Sequence, residues 1–402
     1  IQAMKTESEK NLRHNYIVNL LDGAFFGFGI GFASFTGVIQ LFVGTLTNSA
    51  TLFGLVPAIH SAGWQVPQVL MARRLHKMER YRPFVMFMTI QERLPFLALA
   101  ITAWLAPTIG SEAALWFTFI ILIWQGLGGG LTANAWQNLI AKIIPSDYRA
   151  TFLGLQSAAA NLFAAGSSSL AGIILFTVRY PTNYAGCFFL AAASMALSWF
   201  FLNMTRETNR PIEPDVQMRG SLWSNIRNIL SRDKGFRWFV IVRMLFQFAL
   251  MSSAFYTIYP TKQLGMTTDA AGIMLGELLI AQVVANPLLG WLADRFSRKI
   301  ALQVGLFAGL IGSILAWLAP NASYFYVIVV LSALANVAFW VITMALTLDY
   351  GNEQDRPTYV GIANTLIFPA TFGAPLIGGW LADAFGYSIT FIASALAAIA
   401  TM

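Results

Sequence analysis

The chain has 402 residues, of which 57% are apolar and only 11% charged, and its net charge is +7. Soluble domains carry about 25% charged residues, so this composition leaves too little polar surface to cover a water-soluble core and reads as an integral membrane protein. One cysteine, Cys187, excludes an intrachain disulfide, and three histidines with one thiol form no recognisable metal set.

In chain order, residues 1–15 form a polar N-terminal arm, followed by twelve apolar segments. These lie at about 16–44, 50–72, 83–106, 113–143, 150–178, 183–204, 236–262, 268–292, 299–318, 322–350, 357–384 and 387–402. They have helix length, not the roughly ten-residue alternation of an outer-membrane barrel strand. A chain in hydrocarbon must satisfy its own backbone, which favours helix. The expected fold is therefore all-α, with twelve transmembrane helices. The long polar stretch 205–235 divides the chain into six-span bundles at 16–204 and 236–402, and reads as a linker with a short amphipathic piece near 221–231.

Loop charge sets orientation. With the N-terminus inside, 21 of the 25 Lys and Arg residues lie on the inner side, and only Arg179 and Lys262 fall outside. The arm and the linker are then cytoplasmic, and the expected location is a bacterial cytoplasmic (inner) membrane. The basic balance is a topology signal, so no nucleic acid partner is expected.

The two bundles repeat each other. Residues 149–172 align without gaps to 356–379, pairing Arg149 with Arg356, Gly154 with Gly361 and Gly172 with Gly379; a second alignment pairs Pro67 with Pro287. Duplicated six-span halves around a midplane site are a transporter design. Glycines at i, i+4 spacing, Gly126 and Gly130 in span 4 and Gly23, Gly27 and Gly31 in span 1, read as helix-packing faces.

Between spans 8 and 9 lies GWLADRFSRK (290–299), a knot of charge between two apolar runs. Its Gly290, Leu292, Ala293, Asp294, Arg295, Arg298 and Lys299 resemble the loop signature of the major facilitator superfamily; Ser297 replaces a glycine of that pattern. The resemblance, with the twelve spans, covers the whole chain. It implies two pseudo-symmetric six-helix bundles rocking about a central cavity lined by spans 1, 4, 7 and 10, and a loop cluster that latches the inner gate in one conformation. Gly290 allows close helix approach, Asp294 can pair with a cation or cap a neighbouring helix N-terminus, and Arg295, Arg298 and Lys299 anchor the loop inside; anchoring alone is the plainer alternative. In the first half the matching place reads VLMARRLHKMERYRP, with Arg74 near the position of the acid. WQGLGGGL (124–131) resembles part of a signature of proton-coupled drug exporters through Gln125, Gly126 and Gly128, but Leu122 stands where that pattern has arginine.

Polar groups inside the spans are the candidate binding and coupling residues, because a charge at mid-membrane costs roughly 2.5–3.5 kcal/mol on insertion scales. Asp22 in span 1 and Arg243 in span 7 occupy near-equivalent places and are expected to face each other, as a substrate or proton site or as a salt bridge closing the inner gate. Gln247 is one turn beyond Arg243. In span 2, His60, Trp64 and Gln68 form one stripe; His60 either binds and titrates or bridges helices. Glu277 in span 8 is a proton-carrier candidate or a fixed interhelical partner, and Glu92 and Arg93 in span 3 read as structural pairing. Asn134 with Trp136 in span 4, and Asn336 with Trp340 in span 10, suit an amphipathic organic substrate.

The reading is a secondary active transporter working by alternating access, exporting a lipophilic or amphipathic organic small molecule with protons as candidate coupling ion. Uptake of a small metabolite, lipid translocation and a non-transporting ligand sensor are the alternatives. No cofactor and no catalytic constellation of an enzyme is found. The expected partners are a small-molecule substrate and membrane lipids, and the expected state is a monomer.

Overall fold

The computed structural model describes every residue except 1, 36, 48–49, 76–77, 209–221, 257, 267 and 354; the apolar runs are helical, and no β-strand occurs among the described residues. Span 1 comprises α1 (Gln2–Phe32) and α2 (Val38–Leu46), and span 2 comprises α3 (Ala50–Gln65) and α4 (Gln68–Leu75). Spans 3 to 6 are the unbroken helices α5 (Arg82–Ile109), α6 (Ser111–Ile143), α7 (Ser146–Thr177) and α8 (Thr182–Asn203). The amphipathic piece of the linker is α9 (Leu222–Arg232); residues 209–221 of that linker lie outside the described residues. Span 7 divides into α10 (Lys234–Ala249), a 3-10 turn (Met251–Phe255) and α11 (Ile258–Gln263). Spans 8 and 9 are α12 (Thr268–Arg295) and α13 (Arg298–Leu318). Span 10 is α14 (Tyr324–Val337), a π turn (Ala338–Ile342) and α15 (Thr343–Thr347); spans 11 and 12 are α16 (Arg356–Leu366), α17 (Phe368–Phe385) and α18 (Tyr387–Thr401). Among the described residues, eight helical stretches are long and apolar enough to cross a membrane.

The breaks have local causes. Pro67 has no N–H to donate, so α3 ends before it and α4 starts after it. Pro369 stands in the first turn of α17, where a missing N–H is tolerated. In span 7, hydroxyl groups take over where the helix changes pitch: Ser394 Oγ accepts the Ser252 N–H at 2.9 Å, and Ser252 Oγ lies 2.8 Å from Tyr256 Oη and 3.0 Å from Ser313 Oγ. Polar side chains on neighbouring helices satisfy the freed backbone there, as a membrane interior requires.

The chain forms two compact units. Unit 1 is Ile1–Pro145, Ala159–Pro214 and Asn352–Thr365; unit 2 is Ser146–Ala158, Asp215–Gly351 and Leu366–Met402. The first turns of α7 thus belong with unit 2 and the first turns of α16 with unit 1, and the repeat alignment pairs these same two segments. Unit 1 has a core of aromatic and small residues that includes Phe32, Phe42, Phe96, Phe188 and Met195. Unit 2 has its own around Tyr256, Met274, Phe325, Ile328 and Phe391.

Lipid is as apolar as these side chains, so close packing rather than hydrophobic transfer holds helix to helix. Glycine makes the approach possible. A Cβ on Gly63 of α3 would stand 2.5 Å from the carbonyl carbon of Gly126 in α6, and one on Gly130 would collide with the Gly63 carbonyl oxygen. On α1, Gly27 and Gly31 meet the backbone of Ala160 and Ala164 of α7 in the same way. The i, i+4 glycine faces are packing faces. Gly63→Val is expected to force α3 and α6 apart and to destabilise the protein by about 1–3 kcal/mol or more. Thermal melting in detergent checks this; wild-type melting would contradict it.

Candidate functional site

Unit 2 carries the charged knot. Asp294, in the last turn of α12, is seated on the start of α7: its Oδ1 accepts the Ala150 N–H at 3.2 Å and its Oδ2 the Thr151 N–H at 2.6 Å. Ala150 and Thr151 are the fifth and sixth residues of α7, close to its positive dipole end. Two glycines set the approach. A Cβ on Gly290 would lie 2.6 Å from the Ala150 carbonyl oxygen, and one on Gly154 would collide with the Asn286 carbonyl oxygen. Arg298 bonds Asp349 and the Ser146 carbonyl, and its guanidinium is 3.7 Å from Asp294 Oδ1. Arg149 reaches Asp349 from the other side at 3.2 Å. Ser297, at the glycine position of the loop pattern, caps α13 by accepting the Lys299 N–H at 3.2 Å. Arg295 and Lys299 are exposed.

Unit 1 holds its exchanged segment differently, with amides. Asn134 donates to the carbonyls of Gln68 (2.9 Å) and Pro357 (2.8 Å). Asn364 donates to Gln68 Oε1 at 2.6 Å and Gln137 Oε1 at 3.2 Å, and Thr365 donates to the Gln65 carbonyl at 3.1 Å. Asn138 backs Asn134 by donating to its side-chain oxygen at 2.8 Å. Arg74, at the place equivalent to Asp294, is exposed and stacks 5.8 Å from the Phe84 ring.

Also in unit 1, Asp22 has a partner other than the expected Arg243. Its Oδ1 takes Arg93 Nη2 at 3.1 Å and the Ser198 hydroxyl at 2.6 Å, all three side chains being buried. Arg243, in unit 2, is buried, donates to Thr347 Oγ1 at 3.3 Å and lies 5.7 Å from the Phe239 ring centroid. Asp22 and Arg243, at near-equivalent places in the repeat, thus each have a partner within their own unit.

The profile of the Major Facilitator Superfamily matches residues 24–276 and 244–402. The chain belongs to this superfamily. It is 35% identical over 86 residues to the triacylglyceride transporter of Mycobacterium tuberculosis (strain ATCC 25618 / H37Rv), a match covering 21% of this chain and 17% of that protein. It is 25% identical over 140 residues to multidrug resistance protein 1 of Bacillus subtilis (strain 168), covering 35% of this chain and 36% of that one. Each match spans well under two thirds of the relative's length. The crystal structure of a variant of the Escherichia coli fucose:proton symporter FucP superimposes with a TM-score of 0.76 at 15% identity, over 96% of this chain and 97% of that one. The fold is the twelve-helix facilitator fold.

Within this facilitator the remaining candidates are dispersed. His60 Nδ1 lies 3.0 Å from Gln125 Oε1, and its ring stacks on Phe35 at 3.8 Å between centroids, so His60 and Gln125 tie span 2 to span 4. Trp64 and Trp136 are half-buried, and the Trp64 carbonyl accepts from Gln68 at 2.8 Å. Among the described residues, Gln247 Oε1 and Glu277 Oε2 are buried atoms without a hydrogen-bond partner. Asn336 donates to the Ser332 carbonyl of its own helix at 2.9 Å, and Trp340 projects from the π turn with 40% of its surface exposed, edge-on to Phe339. Sequence reasoning missed Asp349, Gln137 and Asn364. The one usable signal for Asn364 was its place in the repeat aligned to the start of α7.

Asp294 lies past the apolar segment 268–292, in the polar last turn of α12. Burial pushes its carboxyl above the usual carboxylate range, against the lowering pull of the Thr151 and Ala150 N–H groups and of Arg298. A raised value means that the folded protein binds this proton more readily than the unfolded chain, so the site's stabilising contribution is full at low pH and is lost as pH rises through the folded value. Asp294→Asn is therefore expected to leave the melting temperature at neutral pH unchanged or higher. It should still loosen the start of α7, so maleimide labelling of a buried Ala150→Cys reporter becomes several-fold faster. A lower melting temperature with unchanged labelling would contradict this.

Proposed function

We propose that this facilitator is a secondary active transporter that works by alternating access in a bacterial inner membrane, with its basic loop end facing the cytoplasm. Its cargo is a lipophilic or amphipathic organic small molecule, moved outward. The observation that carries the gating part is the seat of Asp294 on the Ala150 and Thr151 N–H groups near the start of α7: a carboxylate close to a helix terminus, braced by Arg298 and Asp349, is a contact that forms or breaks as a unit. For the cargo, support comes from what the spans offer. The Asp22 carboxylate is already taken by Arg93 and Ser198, and the accessible candidates are aromatic and amide side chains such as Trp64, Trp136, Asn336 and Trp340. Such surfaces suit apolar molecules with a few polar groups. The name of the Bacillus relative, a multidrug resistance protein, points the same way.

Lipid translocation is the second reading. An apolar groove of about 410 Å³ between α5 and α8 is lined by Leu97, Ile101, Trp104 and Phe189, which matches an acyl chain, and the mycobacterial relative is named for triacylglycerides.

Everted vesicles containing the protein test the proposal against a lipophilic fluorescent dye and a fluorescent acyl lipid. Dye accumulation above protein-free vesicles is expected, falling on collapse of the pH gradient. Asp294→Asn should reduce it roughly tenfold, in line with the ~1.5–3 kcal/mol of a charge-assisted hydrogen bond. Accumulation of the lipid alone would favour the second reading, and accumulation of neither would overturn both.

A further inference from the structure

Unit 2 carries a basic surface where the linker enters span 7. Asp233 alone joins α9 to α10 and caps the latter: its Oδ1 accepts the Phe236 N–H at 2.9 Å, and its own N–H donates to the Ile229 carbonyl at 2.8 Å. The start of α10 is tied to the end of span 10, where Phe236 and Phe239 pack on the Tyr350 ring at 5.3 and 5.0 Å between centroids. α9 is therefore held at the mouth of span 7. Ile226, Ile229 and Leu230 share one face of α9; the first is buried and the other two are half-buried. Arg227 lies about 60° around the helix from Leu230, and Arg232 about 60° from Ile229, at opposite borders of that face. Arg227, Arg232 and Lys234 are exposed, and among the described residues no hydrogen bond or ion pair takes their side chains. From Leu222 to Trp238 the basic residues are these three and Arg237, and the acid is Asp233, already engaged on α10. Trp238 is 61% exposed. An exposed indole at a span end marks the headgroup level, and Lys234 stands ~6 Å before it along the axis.

We propose that α9 and the first turn of α10 form a docking surface for anionic phospholipid headgroups, with Arg227, Arg232 and Lys234 contacting the phosphates; its assignment to the inner leaflet rests on the orientation proposed above. An amphipathic helix at the membrane surface binds through its apolar face and, in addition, through cations drawn to an anionic leaflet. Arg227 and Arg232 stand where a long side chain keeps its stem over apolar surface and its charged head among headgroups. A guanidinium meets a phosphate with two parallel N–H donors. A zwitterionic headgroup offers no net charge to this surface, so the preference is for anionic lipid. Because one residue separates α9 from α10, lipid bound here also steadies the entry of span 7.

Hydrogen–deuterium exchange of the full-length chain tests the surface in nanodiscs of phosphatidylcholine alone and of equal parts phosphatidylglycerol and phosphatidylcholine. In the wild type, exchange along α9 is expected to slow about fivefold in the anionic discs, as the helix is held on the headgroups. In the triple variant Arg227→Gln, Arg232→Gln, Lys234→Gln the difference between the two lipids should disappear. Equal α9 rates in the two lipids in the wild type would overturn the proposal whatever the variant does. Slowing that persists in a monodisperse triple variant would also overturn it, since the effect would then come from the charged membrane and not from these side chains. Inorganic phosphate added to the phosphatidylcholine discs at constant ionic strength should leave α9 unchanged; slowing equal to that in the anionic discs would overturn the assignment to lipid. No cargo takes part and both leaflets carry the same lipids, so a failed flux assay or a reversed orientation would count against the function proposed above and not against this surface.

Discussion

The seat of the Asp294 carboxylate on the Ala150 and Thr151 N–H groups, near the start of α7, is the contact on which the proposed mechanism depends. The N-terminal end of a helix carries its positive dipole charge, and here one side chain from α12 accepts from two N–H groups close to that end. Gly290 and Gly154 permit it, since a side chain at either place would strike the facing backbone. Arg298 and Arg149 then clamp Asp349, so that α7, α12, α13 and the end of span 10 share one polar knot. The same helix α7 continues past Ala158 into unit 1, where Gly27 and Gly31 of α1 receive it.

The repeat places an equivalent rod start at α16, but the grip there is chemically different. Where unit 2 uses a carboxylate and a guanidinium, unit 1 uses Asn134, Gln68, Gln137 and Asn364, none of which titrates. Arg74 at the position of the acid could not serve, because a cation is unfavourable at a helix N-terminus. An ionic grip responds to protons, to salt and to nearby charge, whereas an amide grip responds to geometry alone. The duplicated architecture thus holds one helix start with ionic contacts and the equivalent one with neutral contacts.

Twelve spans, the division into six and six, the facilitator fold and the charged loop were all legible in the sequence, because composition, span length and a spaced motif are local properties. The glycine faces of α1 and α6 were legible for the same reason. Partner choice was not. Asp22 meets Arg93 because α1, α5 and α8 pack around Ser198, a side chain with no distinguishing pattern in the sequence. Asn134 looked like a substrate contact because an amide in a span needs a partner, and the partner was the Pro357 carbonyl more than two hundred positions away. The break in span 7 was also unreadable, since serines in an apolar helix ordinarily bond their own turn and here Ser252, Tyr256 and Ser313 bond one another.

Hydrogen–deuterium exchange along α7 and α16, compared between the wild type and Asp294→Asn, tests this account most directly. It predicts that exchange at Ala150 and Thr151 accelerates in the variant while the first turn of α16, held by amides, keeps its wild-type rate. Unchanged exchange at Ala150 and Thr151 would contradict the account.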